Sequence, residues 1–159
     1  MDLRHYYPIR EAKRDEWEDA MSLAWTTFMK YEADDYSREG VDSFLDFISD
    51  EKLYRMFLIG EYHVFVAVDD DKIIGVISLR ARTHISLLFV DEHYHHRGVG
   101  RNLVNYVAMF VREENKKKMI TVNSSPYAEN FYRRLGFKDT DTEQEKDGII
   151  YTPMSLSIE

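Results

Sequence analysis

The feature that most limits how this chain can fold lies between residues 62 and 90. There "YHVFVAVDDDKIIGVISLR" sets two β-rich runs on either side of Asp69-Asp70-Asp71. A third run, "THISLLFV", follows Ala81-Arg82 with almost no loop. Runs of β-branched and aromatic residues broken by so few turn residues read as hairpins. Three in succession predict an antiparallel meander.

On both sides of the meander the hydrophobic period changes. Trp17, Ala20, Met21, Ala24, Trp25, Phe28 and Met29 recur at helical spacing and predict an amphipathic helix within 12–33. Val41, Phe44, Leu45 and Ile48 predict a second helix over 38–49, and a short strand is expected at 4–9. Downstream, Val99, Leu103, Val104, Val107, Phe110 and Val111 predict a helix of about four turns. "KMITVN" reads as a strand. Ser125 should then cap a helix with Pro126 at its first position, closed by Gly136 in the left-handed conformation. Strands near 137–141 and 149–157 complete the chain. This order implies a mixed α/β (α+β) fold, a central twisted mixed sheet with an N-terminal antiparallel meander and helices on both faces. No repeat or linker interrupts it, so residues 1–159 are expected to form a single domain.

Charge and composition exclude several functions. The formal charge of −8 leaves no dominant basic face, so nucleic acid is not an expected partner. The run Lys116-Lys117-Lys118 reads as the basic end of a helix complementing its own dipole. An acidic protein attracts cationic small molecules instead. No apolar run approaches the ~20 residues of a membrane span, and the N-terminus lacks the apolar stretch of a signal peptide. Without cysteine there is no disulfide frame and no thiolate chemistry. A cytoplasmic location with no membrane partner is expected.

The densest chemistry is "DEHYHHRGVGRNLV", residues 91–104. A strand, a short glycine-containing loop and a helix start form the geometry of an anion cradle, because the first N–H groups of a helix lack internal partners and sit at its positive pole. Gly98 and Gly100 would let backbone approach a phosphate, and Arg97 and Arg101 add charge. The stretch is neither a nucleotide P-loop nor G-x-G-x-x-G. Two other readings compete for His93, His95 and His96: metal ligands beside Asp91 and Glu92, or solvated loop residues. Adjacent His95 and His96 point apart in extended chain, and no second ligand cluster appears, so no metal is expected.

"ISLLFVDEHYHHRGVGRNLV" followed by "ITVNSSPYAENFYRRLGFK" resembles the GCN5-related N-acetyltransferase (GNAT) family. The first block is similar to its acetyl-CoA motif, a strand followed by Arg/Gln-x-x-Gly-x-Gly/Ala at a helix start. The second is similar to its strand–helix pair ending in Tyr-x-x-Leu-Gly-Phe. The resemblance covers residues 62–140 best. His95 departs from it, standing where the family has Arg or Gln.

The resemblance implies acetyl-CoA as acyl donor, an amine-bearing acceptor and direct transfer in a ternary complex. The backbone of His96, Arg97, Gly98, Val99, Gly100 and Arg101 would hold the pyrophosphate, and the His95 ring would face it where the family's Arg or Gln does. Leu88, Phe89 and Val90 would splay from the next parallel strand, and the backbone of Phe89 and Val90 would pair with the pantetheine arm. Asn123 and Asn130 would bond that arm, and Phe131 would pack beside it. Tyr132, which by spacing alone reads as a core aromatic, would protonate the departing thiolate. His84 shares parity with Ser86 and Leu88 and is a candidate base; an exposed turn histidine is the other reading, and Glu92 or water could take the proton instead. Trp25, Tyr31, Tyr36, Phe44, Phe47 and Tyr54, mixed with Glu32, Asp34, Asp35 and Asp46, would wall the acceptor pocket or belong to core and surface. A non-catalytic acyl-CoA-sensing module is the alternative function, and a homodimer is one assembly state open to the chain.

Overall fold

The computed structural model describes residues 6–159. The meander forms as β2 (His63–Asp69), β3 (Lys72–Arg80) and β4 (His84–Val90), all antiparallel. Its turns are tight enough to force left-handed backbone at Asp70, Ala81 and Arg82. The first strand, β1 (Ile9–Glu11), adds to β2. It begins where the expected strand at 4–9 was to end; residues 4 and 5 lie outside the described residues. Three helices follow β1: α1 (Trp17–Tyr31), α2 (Arg38–Ile48) and α3 (Glu51–Leu58). Beyond β4 come α4 (Val99–Glu113), β5 (Met119–Ser124), α5 (Glu129–Arg134), β6 (Lys138–Asp139), β7 (Gln144–Lys146) and β8 (Ile149–Ser157). The sheet runs β1-β2-β3-β4-β5-β8-β6, with β7 paired to β8.

Helices cover both faces. On one, Leu103, Val104 and Val107 of α4 pack against Phe65, Ile77 and Ile120. On the other, Ala20, Ala24 and Phe28 of α1 pack against Val64, Val66 and Val76. Strands covered on both sides bury successive residues, which is why Val64 to Val68 read as one apolar run rather than an alternation. The start of α1 is tied to β1 by a two-pronged ion pair, with Arg10 Nη1 and Nη2 donating to the Glu16 carboxylate at 2.8 and 2.9 Å.

Two irregularities shape the centre of the sheet. Ser78 pairs with Leu87 but Leu79 pairs with Ile85, so Ser86 is an extra residue in β4. Such a bulge bends the strand and swaps its faces. Its hydroxyl closes a ring with two others. Tyr62 donates to Ser78 at 2.6 Å, so Ser86 must donate to Tyr62 and Ser78 to Ser86, each at 2.8 Å. Every hydroxyl in the ring gives one bond and takes one. The second irregularity is the only parallel junction among the described residues, between β4 and β5, which pairs just His84 with Thr121 and Ile85 with Val122. Beyond Ile85 the strands diverge, and a gap opens inside the sheet.

Candidate active site

The loop from β4 to α4 is built to leave donors free. Asp91 accepts the His93 N–H at 2.9 Å, and a short turn spans Glu92–Tyr94. His96 and Gly98 then take left-handed conformations, φ 63° and 78°. From His96 to Arg101 no backbone N–H has a partner among the described residues; the first bond into α4 runs from Asn102 N–H to the Gly98 carbonyl, 2.9 Å. Six donors at the positive pole of a long helix make an anion cradle. A side chain built at Gly98 would meet nothing within 4 Å, so the space above the cradle is open. At Gly100 it would come within 3.2 Å of the Phe131 ring. The second glycine thus admits a ring of α5, where phosphate access was the expectation.

The side chains of the loop turn elsewhere. Arg97 donates to the Tyr7 hydroxyl at 2.8 Å and lies over the Tyr94 ring. His95 Nε2 donates to the Val90 carbonyl at 2.8 Å, and its ring rests on Tyr31. Tyr31 in turn meets Tyr127. The Lys30 ammonium and Glu92 carboxylate form an ion pair, joining the end of α1 to this loop. His93 pairs with Asp91, and the rings of His95 and His96 stand perpendicular. Among the described residues no three His, Asp or Glu side chains converge on a metal position.

The gap in the sheet begins where the cradle ends. Asp91 N–H donates to the Ile74 carbonyl at 2.8 Å. Backbone groups alternate sides along a strand, so Phe89 also turns to β3, while Leu88 and Val90 direct theirs into the gap. Phe89 was expected to share the pairing role with Val90; its backbone is committed to β3, and its ring packs under α1 and α2.

A cavity of about 480 Å³ lies beneath the gap. One wall is Phe28, Glu32 and Tyr36, from α1 and the turn after it; another is Phe44 and Phe47 of α2. Leu88 and Tyr132 reach it from the gap side. Tyr132 is buried, yet its hydroxyl bonds to no described residue and opens on the cavity. Burial, then the nearby Glu32 carboxylate, push this phenol far above its ordinary range, so it stays protonated. Glu32 itself is pushed up to about 7, first by burial and then by Asp35, against the opposing pull of the Ser125 hydroxyl. At the far end His84 Nδ1 bonds Thr121 Oγ1 at 2.8 Å. Burial, then Arg80, hold that imidazole below its usual range.

A family model for the GNAT acetyltransferase domain matches residues 32–158. The chain belongs to the GNAT acetyltransferase family. Its activity is N-acetyl transfer with acetyl-CoA as donor. Similar folds include a GCN5-related N-acetyltransferase from Rhodopseudomonas palustris, with TM-score 0.81, 22% identity and 95% of each chain covered. The PaiA N-acetyltransferase of Thermoplasma acidophilum, solved with coenzyme A, has TM-score 0.80 and 20% identity over 96% of this chain and 99% of that one. A spermidine N-acetyltransferase from Vibrio cholerae has TM-score 0.66 and 14% identity, covering 95% and 93%. No curated protein sequence matches significantly.

In this GNAT domain several predicted residues come together. Leu88, Asn123, Tyr132 and His84 all line the one cavity. Asn130 is exposed on α5, and Phe131 fills the notch at Gly100. The parity argument for His84 is corrected: the Ser86 bulge puts Leu88 on the α4 face, away from the hydroxyl ring of Ser86 and Tyr62. Sequence reasoning passed over the β7–β8 hairpin, whose Lys146, Asp147, Ile149 and Tyr151 complete the cavity. Its turn is Asp147-Gly148, φ 53° and 80°, a hairpin signal present in the sequence. Helix α2 docks on that turn. Gly40 approaches Gly148 so closely that a side chain there would overlap its carbonyl, and Ser43 Oγ donates to the Asp147 carbonyl at 2.8 Å. Glu32 was counted only as one acid among several. Its signal was its spacing, four residues beyond Phe28, which carries the buried stripe of α1 into an acid.

Proposed function

We propose that this acetyltransferase modifies a primary amine of a small cationic molecule or a protein amino group, which attacks the donor directly while both are bound. The observation that carries this is the succession, along one path, of six free N–H groups, the gap-facing backbone of Leu88 and Val90, and the Tyr132 hydroxyl above the cavity. The cradle from His96 to Arg101 would take the pyrophosphate. The Leu88 and Val90 backbone would pair with the pantetheine arm, with Asn123 and Asn130 beside it. A gap-facing N–H, that of Leu88 or Val90, would polarise the thioester carbonyl, where charge grows as the amine attacks. Tyr132 would hand its proton to the departing sulfur. His84 and Arg80 lie at the inner end of the cavity, against the acceptor's remote part. The cavity's size suits a small acceptor, and its mixture of aromatic rings and carboxylate suits an ammonium. The spermidine N-acetyltransferase among the similar folds acts on such a molecule. A cytoplasmic location fits a chain without cysteine.

The test is a thermal shift with acetyl-CoA, CoA and ATP, followed by an amine panel with thiol release measured. Acetyl-CoA and CoA should raise the melting temperature and ATP should not. Gly98→Glu, which puts a negative charge and a side chain at a left-handed position in the cradle, should abolish the shift. A shift that survives in folded Gly98→Glu refutes the phosphate assignment. Binding without thiol release across polyamines, aminoglycosides and N-terminal peptides would instead mark an acyl-CoA-sensing module.

A further inference from the structure

We propose that Glu32 receives the acceptor in this cleft, pairing with its ammonium and then taking its proton. This rests on the transfer reading above and adds to it a named base and a charge state for the substrate.

The argument begins with where the carboxylate has been put. Glu32 follows the last turn of α1, and its N–H still bonds the Phe28 carbonyl at 2.9 Å. The end of a helix is its negative pole, where an anion is disfavoured. The side chain lines a cavity walled by Phe28, Phe44 and Tyr36 rings. Among the described residues no lysine, arginine or histidine pairs with it. A carboxylate held in a half-apolar cleft without a cation costs stability, so its presence points to a partner that comes and goes. The proton-binding strength that burial gives it suits a base working near neutral pH.

Other charged groups face it from every neighbouring element. Asp35 and Tyr36 stand on the following turn, and Tyr127 and Tyr132 on the segment after β5. Across the cavity are Arg80 and His84, with Lys146 at the end of β7 and Asp147 on the turn after it. Of these, Tyr132 matters most to the chemistry, because it lines the same cavity and feels the Glu32 carboxylate. The acid for the sulfur and the base for the nitrogen thus flank one position. His84, the base suggested by sequence, is occupied with Thr121 at the other end.

The proton count closes. The ammonium gives one proton to Glu32, which releases it to water. The free amine forms its bond to the thioester carbon, and the carbon–sulfur bond breaks with its electron pair on sulfur. Tyr132 supplies the thiol proton, and the second proton lost by nitrogen restores Tyr132. One proton is released per turnover.

The experiment uses the full chain with spermidine and phenethylamine as probe amines. Wild-type kcat/KM for thiol release should rise with pH through a limb near 7. Glu32→Gln should lower it at least about 100-fold and remove that limb, with acetyl-CoA affinity unchanged within about twofold. Glu32→Asp should recover part of the rate and keep a limb. In parallel, the Glu32 side-chain carbon of ¹³C-glutamate protein is titrated with and without spermidine; the bound ammonium should lower its midpoint. Glu32→Gln that keeps its rate and limb, or a limb lost in His84→Gln instead, overturns the proposal. A wild type that binds acetyl-CoA but releases no thiol with either probe or with aminoglycosides and N-terminal peptides refutes the transfer reading. The carboxyl resonance then decides for Glu32: unmoved by spermidine, the ion pair is refuted as well; moved, it stands.

Discussion

A base placed where charge is disfavoured should leave a thermodynamic mark even without substrate. Glu32 has an ordinary value of 4.5 and is held at about 7 in the folded protein. The sign follows from linkage. The folded state binds this proton more tightly than the unfolded chain, so the group's contribution is most favourable below 4.5 and is lost as pH rises to about 7. At about 1.4 kcal/mol per pH unit, the loss is about 3 kcal/mol. Glu32→Gln cannot titrate. The stability of the variant relative to wild type should therefore increase by about 3 kcal/mol between pH 4.5 and 8. For a chain of this length that corresponds to a relative gain of roughly 6 to 12 °C in melting temperature. Urea melts of both proteins at half-unit steps across this range measure the difference directly, and other titrating groups cancel between them. A difference that does not change with pH would show that the carboxyl is solvated and the burial argument wrong. One that grows toward acid would reverse its sign and imply a hidden cationic partner. The variant that gains stability is the one expected to lose turnover, a trade common at working sites.

Tyr132→Phe should lower kcat about 10- to 100-fold while acetyl-CoA binds within about twofold of wild type, measured by steady-state kinetics and calorimetry; unchanged turnover with chemistry rate-limiting would remove the hydroxyl from the acid role. At the other end of α1, Arg10 holds the Glu16 carboxyl down at about 2. That pair should stabilise the fold above pH 4.5 and be lost as pH falls toward 2; Glu16→Gln should cost about 1–2 kcal/mol at pH 7, discounted for the exposed arginine, and nothing near pH 2, by denaturant melts.

Much of this molecule was legible because its signals are local. The meander announced itself through β-rich runs and tight turns, α4 through its stripe of valines and leucines, and the cradle through glycines at a helix start. Ser125 accepts the Ala128 N–H, as a cap before Pro126 should. What escaped had two causes. Helix α3 is short, and its cap Asp50 bonding the Lys52 N–H follows so closely on α2 that the two read as one helix and its tail. The Ser86 bulge is set by partners distant in sequence, Tyr62 and Ser78, and no alternation along β4 alone reveals it. Because faces swap at the bulge, one inserted residue was enough to misplace His84 relative to Leu88. Glu32 escaped because an acid in a helical stripe looks like a surface residue until the rings around it are known.

A sheet that parts in its middle has an edge inside the molecule, and a strand edge accepts any extended chain. Here that edge is short. Only Leu88 and Val90 present their backbone to it, and the Val90 carbonyl is already met by His95. A peptide laid into the gap would find too few rungs to hold it. A ligand bearing phosphates would, on the proposed reading, bring its own anchorage at the six N–H groups of the cradle. On that reading, such an edge would offer a foothold adequate only for a molecule tethered elsewhere as well.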